Sequence, residues 1–120
     1  MVRGVRGAST VSQNTKEDIV QETKSLLTAM VADNGINAEA IASILFTLTP
    51  DLNAEFPAVA AREMGFSDVP LICAAEIPVP GALANCVRIL IHWNTDKSAA
   101  DIHHVYIKGA ATLRPDKPKK

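Results

Sequence analysis

From residue 15 to residue 35 the apolar positions recur with a helical beat. Ile19, Val20, Thr23, Leu26, Leu27, Met30 and Val31 fall at three- and four-residue spacing, which gathers them on one face. Asn14 with Glu17, or Thr15 with Asp18, offers an N-cap with an acidic residue three positions on. Asn34-Gly35 offers a left-handed stop. The pattern predicts one long helix with its apolar face laid on a sheet.

Elsewhere the apolar runs are shorter. Val2 to Val11 alternates loosely and reads as a first strand, with Gly4 and Gly7 suited to a close approach by another backbone or a ligand. Ile41 to Leu48 reads as a strand, although its lead-in could begin as a helical turn, and Thr49-Pro50-Asp51 breaks it. Pro57 suits the start of a short helix, Ala58 to Met64, which Gly65 ends. Val69 to Ile77 is a strand bounded by Pro70 and Pro78. Cys86 to Trp93 carries the strongest strand signal, and His104 to Ile107 a last one after the polar loop Asp96 to Asp101. From Leu113 the chain turns rich in proline and lysine, a tail expected to be mobile on its own.

The order βαβαβββ predicts a single α/β (α+β) domain over residues 1–120, with a mixed sheet packed on one long and one short helix. Helices on one face leave the other uncovered. In a chain of 120 residues that face points to burial in an oligomer.

Composition narrows the function. Apolar residues make up 48% and charged residues 21%, as in a globular protein, and the formal charge of −1 gives no field to gather polyanions or membranes. With 4% aromatics, a base-stacking nucleic-acid platform is not expected. The opening MVRGVRGAST lacks an apolar targeting core, and no run reaches membrane-spanning length. Cys73 and Cys86 sit in no CxxC pair and read as free thiols of a cytoplasmic protein.

An anionic ligand would have to be held by a few local arginines, of which there are five: Arg3, Arg6, Arg62, Arg88 and Arg114. Arg88 lies inside the apolar strand CVRILIHW. Alternation puts it on one face with Cys86, Leu90 and His92, and puts Val87, Ile89, Ile91 and Trp93 on the other. A guanidinium there is not expected to be buried without an anionic partner, so this face is solvated, or Arg88 pairs with Glu76, or it meets an anionic ligand. Glu76 closes the strand LICAAE, where a carboxylate serves a site or a structural pair equally well. Cys73 and His92, His103 and His104 stand at no spacing that marks a nucleophile or a metal site. No phosphate loop, HExxH or GxSxG occurs.

Four segments taken together are more specific. They are Arg3-Gly4-Val5-Arg6-Gly7-Ala8; Thr49-Pro50-Asp51-Leu52 with Phe56-Pro57-Ala58 and Arg62; Cys73-Ala74-Ala75-Glu76 with Gly81, Leu83 and Cys86-Val87-Arg88; and His104-Val105-Tyr106 with Leu113-Arg114-Pro115-Asp116. In this order, over nearly the whole chain, they resemble the monofunctional trimeric chorismate mutases, the AroH class. The resemblance implies an isomerase that converts chorismate to prephenate without cofactor or metal. It implies a homotrimer whose sheets form a pseudo-α/β-barrel core, with a site at each subunit interface. Carried over by position, Arg88 faces the ether oxygen and Glu76 accepts from the ring hydroxyl, which Cys73 also approaches. Arg6 and Tyr106 bind carboxylate. Phe56, Ala58 and Arg62 line the mouth, Phe56 and Arg62 coming from a neighbouring subunit, and Leu113 and Arg114 belong to a tail that orders over the ligand. Val59 stands where some relatives carry lysine, and the chain is one residue shorter between Arg62 and Val69. The rival readings are a non-catalytic ligand-binding trimer, an imine deaminase on a related scaffold and, more distantly, a cysteine hydrolase.

Overall fold

The helical beat becomes α1, Lys16–Asn34. Thr15 caps it, its Oγ1 accepting from the Asp18 N–H at 3.1 Å, and Gly35 ends it at φ 67°. Ile19, Leu26, Leu27 and Met30 are fully buried along its inner face. Two polar side chains, Glu22 and Asn34, lie buried on the same stripe, where the sequence pattern shows no apolar residue.

The structure is a computed structural model and describes residues 1–113; the tail, with Arg114, lies outside the described residues. Its strands are β1 (Val2–Thr10), β2 (Ile41–Leu48), β3 (Leu71–Ala75), β4 (Cys86–Asn94) and β5 (Val105–Tyr106), with α2 (Ala58–Glu63) between β2 and β3. They form one mixed sheet in the order β3-β2-β4-β1-β5. β4 is antiparallel to both β1 and β2, whereas β3 and β5 are parallel to their neighbours. The unit β1-α1-β2 is therefore split, with the late strand β4 inserted between its two strands. The fold is α+β.

Two strands are shorter than their apolar runs. The stretch Val69–Ile77 keeps only Leu71–Ala75 as strand, and His104–Ile107 keeps only Val105–Tyr106. In the first, proline flanks the run at both ends and supplies no N–H to a ladder. Short 3₁₀ turns occupy Ala38–Ala40, Ala99–Asp101 and Lys108–Leu113.

Alternation sorts β4 as read. Val87, Ile89, Ile91 and Trp93 are buried on the helix side with Val5, Ile44 and Phe46, while Arg88, Leu90 and His92 are half-exposed on the other face. Gly7 leaves room for α1 on β1: a Cβ there would collide with the Met30 sulfur. Among the described residues the far face of the sheet carries no α-helix; only the 3₁₀ segment Lys108–Leu113 covers one end of it, burying Ala110 against Ala8 and Cys86. Cross-strand register lines up Ile72, Leu45, Leu90 and Arg6 there, then Ala74, Thr47, Arg88, Ala8 and Tyr106.

Candidate active site

The open face holds a cavity of about 290 Å³ lined by Arg6, Leu45, Thr47, Glu76, Arg88, Leu90, Tyr106 and Leu113. Four strands contribute to it because the register stacks the second row across the sheet. Glu76 continues past the end of β3, its N–H donating to the Leu48 carbonyl at 2.9 Å, so the carboxylate stays on the open face. Thr47, the cross-strand partner of Arg88, donates its hydroxyl to Glu76 Oε2. Arg88 Nε lies 3.5 Å from the same oxygen, an ion-pair separation.

That Nε is buried and, among the described residues, has no hydrogen-bond partner. A buried donor left without an acceptor is unfavourable by roughly 1–3 kcal/mol or more when charged. Its charge is balanced by the neighbouring Glu76 carboxylate, while the Arg88 side chain as a whole is 43% exposed. Arg6 lies across the site, its guanidinium carbon 6.0 Å from the Tyr106 ring centroid, and its backbone N–H donates to His104 Nδ1 at 3.0 Å. Two arginines and one carboxylate thus meet in a cavity that suits a small molecule with more than one negative charge.

Phe56, Cys73 and Arg62 are not in this cavity. Phe56 and Cys73 line a second, larger cleft of about 510 Å³ with Pro57, Ala74 and Ala75. Cys73 pairs with the core residue Phe46 and packs on the helix side of the sheet, opposite to Glu76. An odd spacing of three along an extended segment reverses the face, so the sequence holds this signal. Arg62 is exposed on α2, and Phe56 is 66% exposed. The Ala58 side chain is buried in the core, and its backbone N–H faces Cys73.

Burial pushes the Cys73 thiol pKa up, against the Ala58 N–H and the Arg62 charge. Burial likewise pushes Cys86 up, against the Arg88 charge. Both thiols stay protonated through neutral pH, so neither is poised as a nucleophile. Cys73→Ser should keep most of the activity, a far smaller loss than the roughly 10²–10⁴-fold that removing an acid–base group brings. A pH–rate profile should be flat from neutral to mildly alkaline pH, and a limb tracking thiolate formation would contradict it. Because the folded state holds these protons more tightly, stability is fully present below the ordinary thiol range and falls as pH rises through it.

Among the described residues, no three His, Cys, Asp or Glu side chains gather as a metal site would need. None of the described helices is long and apolar enough to cross a membrane.

Comparison with known proteins gives a consistent result. The family model for chorismate mutase type I matches residues 2–117. A chorismate mutase AroH from Thermus thermophilus is 50% identical over 117 residues, covering 97% of this chain and 96% of the relative. A chorismate mutase AroH from Bacillus subtilis (strain 168) is 43% identical over 117 residues, covering 97% and 92%. A solved structure of a chorismate mutase from Clostridium thermocellum superposes with a TM-score of 0.91 at 51% identity, over 92% of this chain and 99% of that one.

Proposed function

The chain belongs to the type I chorismate mutases and isomerises chorismate to prephenate, and from that premise we propose that it does so at sites completed between the subunits of a homotrimer, by electrostatic stabilisation of the transition state. As an isomerase of the shikimate pathway it acts on a dianion, which the arginine-lined cavity suits. The observation that carries the reading is the cavity on the open face, where Arg6 and Arg88 line one space together with Glu76 and Tyr106.

The reaction is intramolecular. The ether C–O bond of chorismate breaks while a C–C bond forms, and negative charge grows on the departing oxygen. No proton has to move and no nucleophile is needed. Arg88 supplies a fixed cation at that oxygen, worth more in the transition state than in the ground state. Thr47 and Glu76 hold the guanidinium in place beforehand, and Glu76 accepts from the ring hydroxyl. Arg6 and Tyr106 take carboxylate oxygens, which keeps the substrate folded for attack. Leu113 covers the cavity, and Arg114 follows it in sequence.

Phe56, Ala58, Arg62 and Cys73 belong to the second half. One chain carries both halves on opposite faces of β3, so a neighbouring copy has to bring its second half to the first. Ile72, Ile77 and Val79, all more than half exposed, support an interface along this edge. A cyclic trimer closes the open sheet faces on one another as a barrel-like core. Two free thiols fit a reducing cytoplasm.

Complementation tests the shared site. Arg62→Ala and Arg88→Ala chains, each impaired alone, are unfolded together and re-assembled. In a cyclic trimer each mixed assembly rebuilds one intact interface, so about a quarter of all sites in an equal random mixture should be whole. Recovery of kcat/KM to about that fraction of the parent agrees with a site shared between subunits. No recovery on mixing places both residues in one subunit's site and contradicts it.

A further inference from the structure

Tyr106 and Leu113 sit on a segment with little structure of its own. β5 is two residues long and pairs with β1 through Gly7–Val105 and Ala8–Tyr106. The 3₁₀ turns Lys108–Leu113 follow at once, entered through Lys108 at φ 53°, a left-handed conformation that a lysine adopts only under constraint.

Helix α1 grips this segment at two points. At its C-terminal end, Asn34 Nδ2 donates to the His103 carbonyl and Asn34 Oδ1 accepts from the His103 N–H, both at 2.8 Å. Nearer its start, the buried carboxylate of Glu22 accepts from Ser9 Oγ at 2.6 Å and from Lys108 Nζ at 2.5 Å. Between the two grips Val105 and Tyr106 pair with Gly7 and Ala8, and the Ile107 N–H donates to the Ala8 carbonyl at 3.1 Å, so Tyr106 lies two residues from Lys108 on a segment fixed at both ends.

A carboxylate on an apolar helix stripe is unfavourable unless it is partnered. Lys108 is 57% exposed at the side chain, so the ion pair itself adds little stability. Its effect is geometric. We infer that Glu22 is a positioning residue: through Lys108 it sets where Tyr106 and Leu113 meet the substrate, and so governs binding of chorismate more than the rate of the bond change. The inference rests on the reading that Tyr106 and Leu113 contact the substrate.

Steady-state kinetics on Glu22→Gln and Lys108→Met, with melting temperatures alongside, test it. Glu22→Gln keeps the shape and can still accept from Ser9, and Lys108→Met changes an exposed side chain, so at least one should fold normally. KM should rise roughly tenfold in each while kcat changes by less than about twofold, short of the ~10²-fold that an ångström of misplacement can bring. The charge reversal Glu22→Lys with Lys108→Glu should return KM most of the way. An unchanged KM in both single variants overturns the inference, whatever the melting temperature does, and shows the pair to be structural. Tyr106→Phe separates the underlying reading. If it raises KM while Glu22→Gln and Lys108→Met do not, the substrate contact stands and the positioning role falls. If Tyr106→Phe itself leaves KM unchanged, the contact is what fails.

Discussion

Replacing Ile72 by aspartate should yield a folded chain that sediments near the monomer mass of 12.8 kDa and no longer turns over chorismate. Ile72 is 65% exposed and stands in one row with Leu45, Leu90 and Arg6 on the sheet face that no α-helix of the described residues covers. In the subunit alone it packs little, so the substitution leaves the core of Phe46, Ile89 and Ile91 untouched. In the proposed trimer that face is closed. Aspartate there would give up the roughly 1.5–3 kcal/mol of burying the isoleucine. It also desolvates an unpaired carboxylate, a penalty of several kcal/mol per ion, and threefold symmetry repeats both at each contact. Loss of assembly then removes the Phe56–Cys73–Arg62 half from every site. Analytical ultracentrifugation, circular dichroism and a chorismate-disappearance assay on one sample check this. A fully active trimer would show that the open face is not the contact between subunits.

Legibility in the sequence followed physical period. The span of α1 was readable because a cap, an apolar stripe at helical spacing and Asn34-Gly35 all agree on its ends. The two faces of β4 were readable because strict alternation carries one bit per residue, and Arg88 came out on the open face from that alone. The buried roles of Glu22 and Asn34 are not legible because a polar residue on the stripe looks like a gap or a cap, although Glu22 lies three residues after Ile19 and four before Leu26. Their use depends on Ser9, His103 and Lys108, far away in sequence. Strand order was not readable at all. Nothing local in Cys86–Asn94 says that it inserts between the first and second strands, yet that insertion sets Arg88 beside Thr47 and brings Arg6 across from Glu76. Arg6, Glu76, Arg88 and Tyr106 were picked out by resemblance, and the register explains why they converge. The same register separates Cys73 from them, whereas the resemblance implies an interface site in which only Phe56 and Arg62 come from a neighbouring subunit.

The other large effect belongs to Arg88. In the proposed site Arg6 and Tyr106 act on carboxylates that are charged throughout the reaction, so losing them should weaken ground state and transition state alike and raise KM. Arg88 is proposed to act on an oxygen whose charge develops as the bond breaks, so its loss should lower kcat. Removing one preorganised donor to a developing oxyanion typically lowers kcat by ~10²–10³, about 2.7–4 kcal/mol, and a full cation in a partly buried cavity belongs at the upper end or beyond. Arg88→Ala should fold and assemble, since its side chain stands on the open face and its removal leaves Glu76 bonded to Thr47. Arg88→Lys keeps the charge but loses the planar fork, and should recover part of the rate. The most direct measurement is single-turnover conversion of saturating chorismate by the assembled Arg88→Ala protein. A first-order rate at least about 10²–10³ below that of the parent is the predicted result; a rate within a few-fold of the parent would make Arg88 a structural partner of Glu76 and contradict the account.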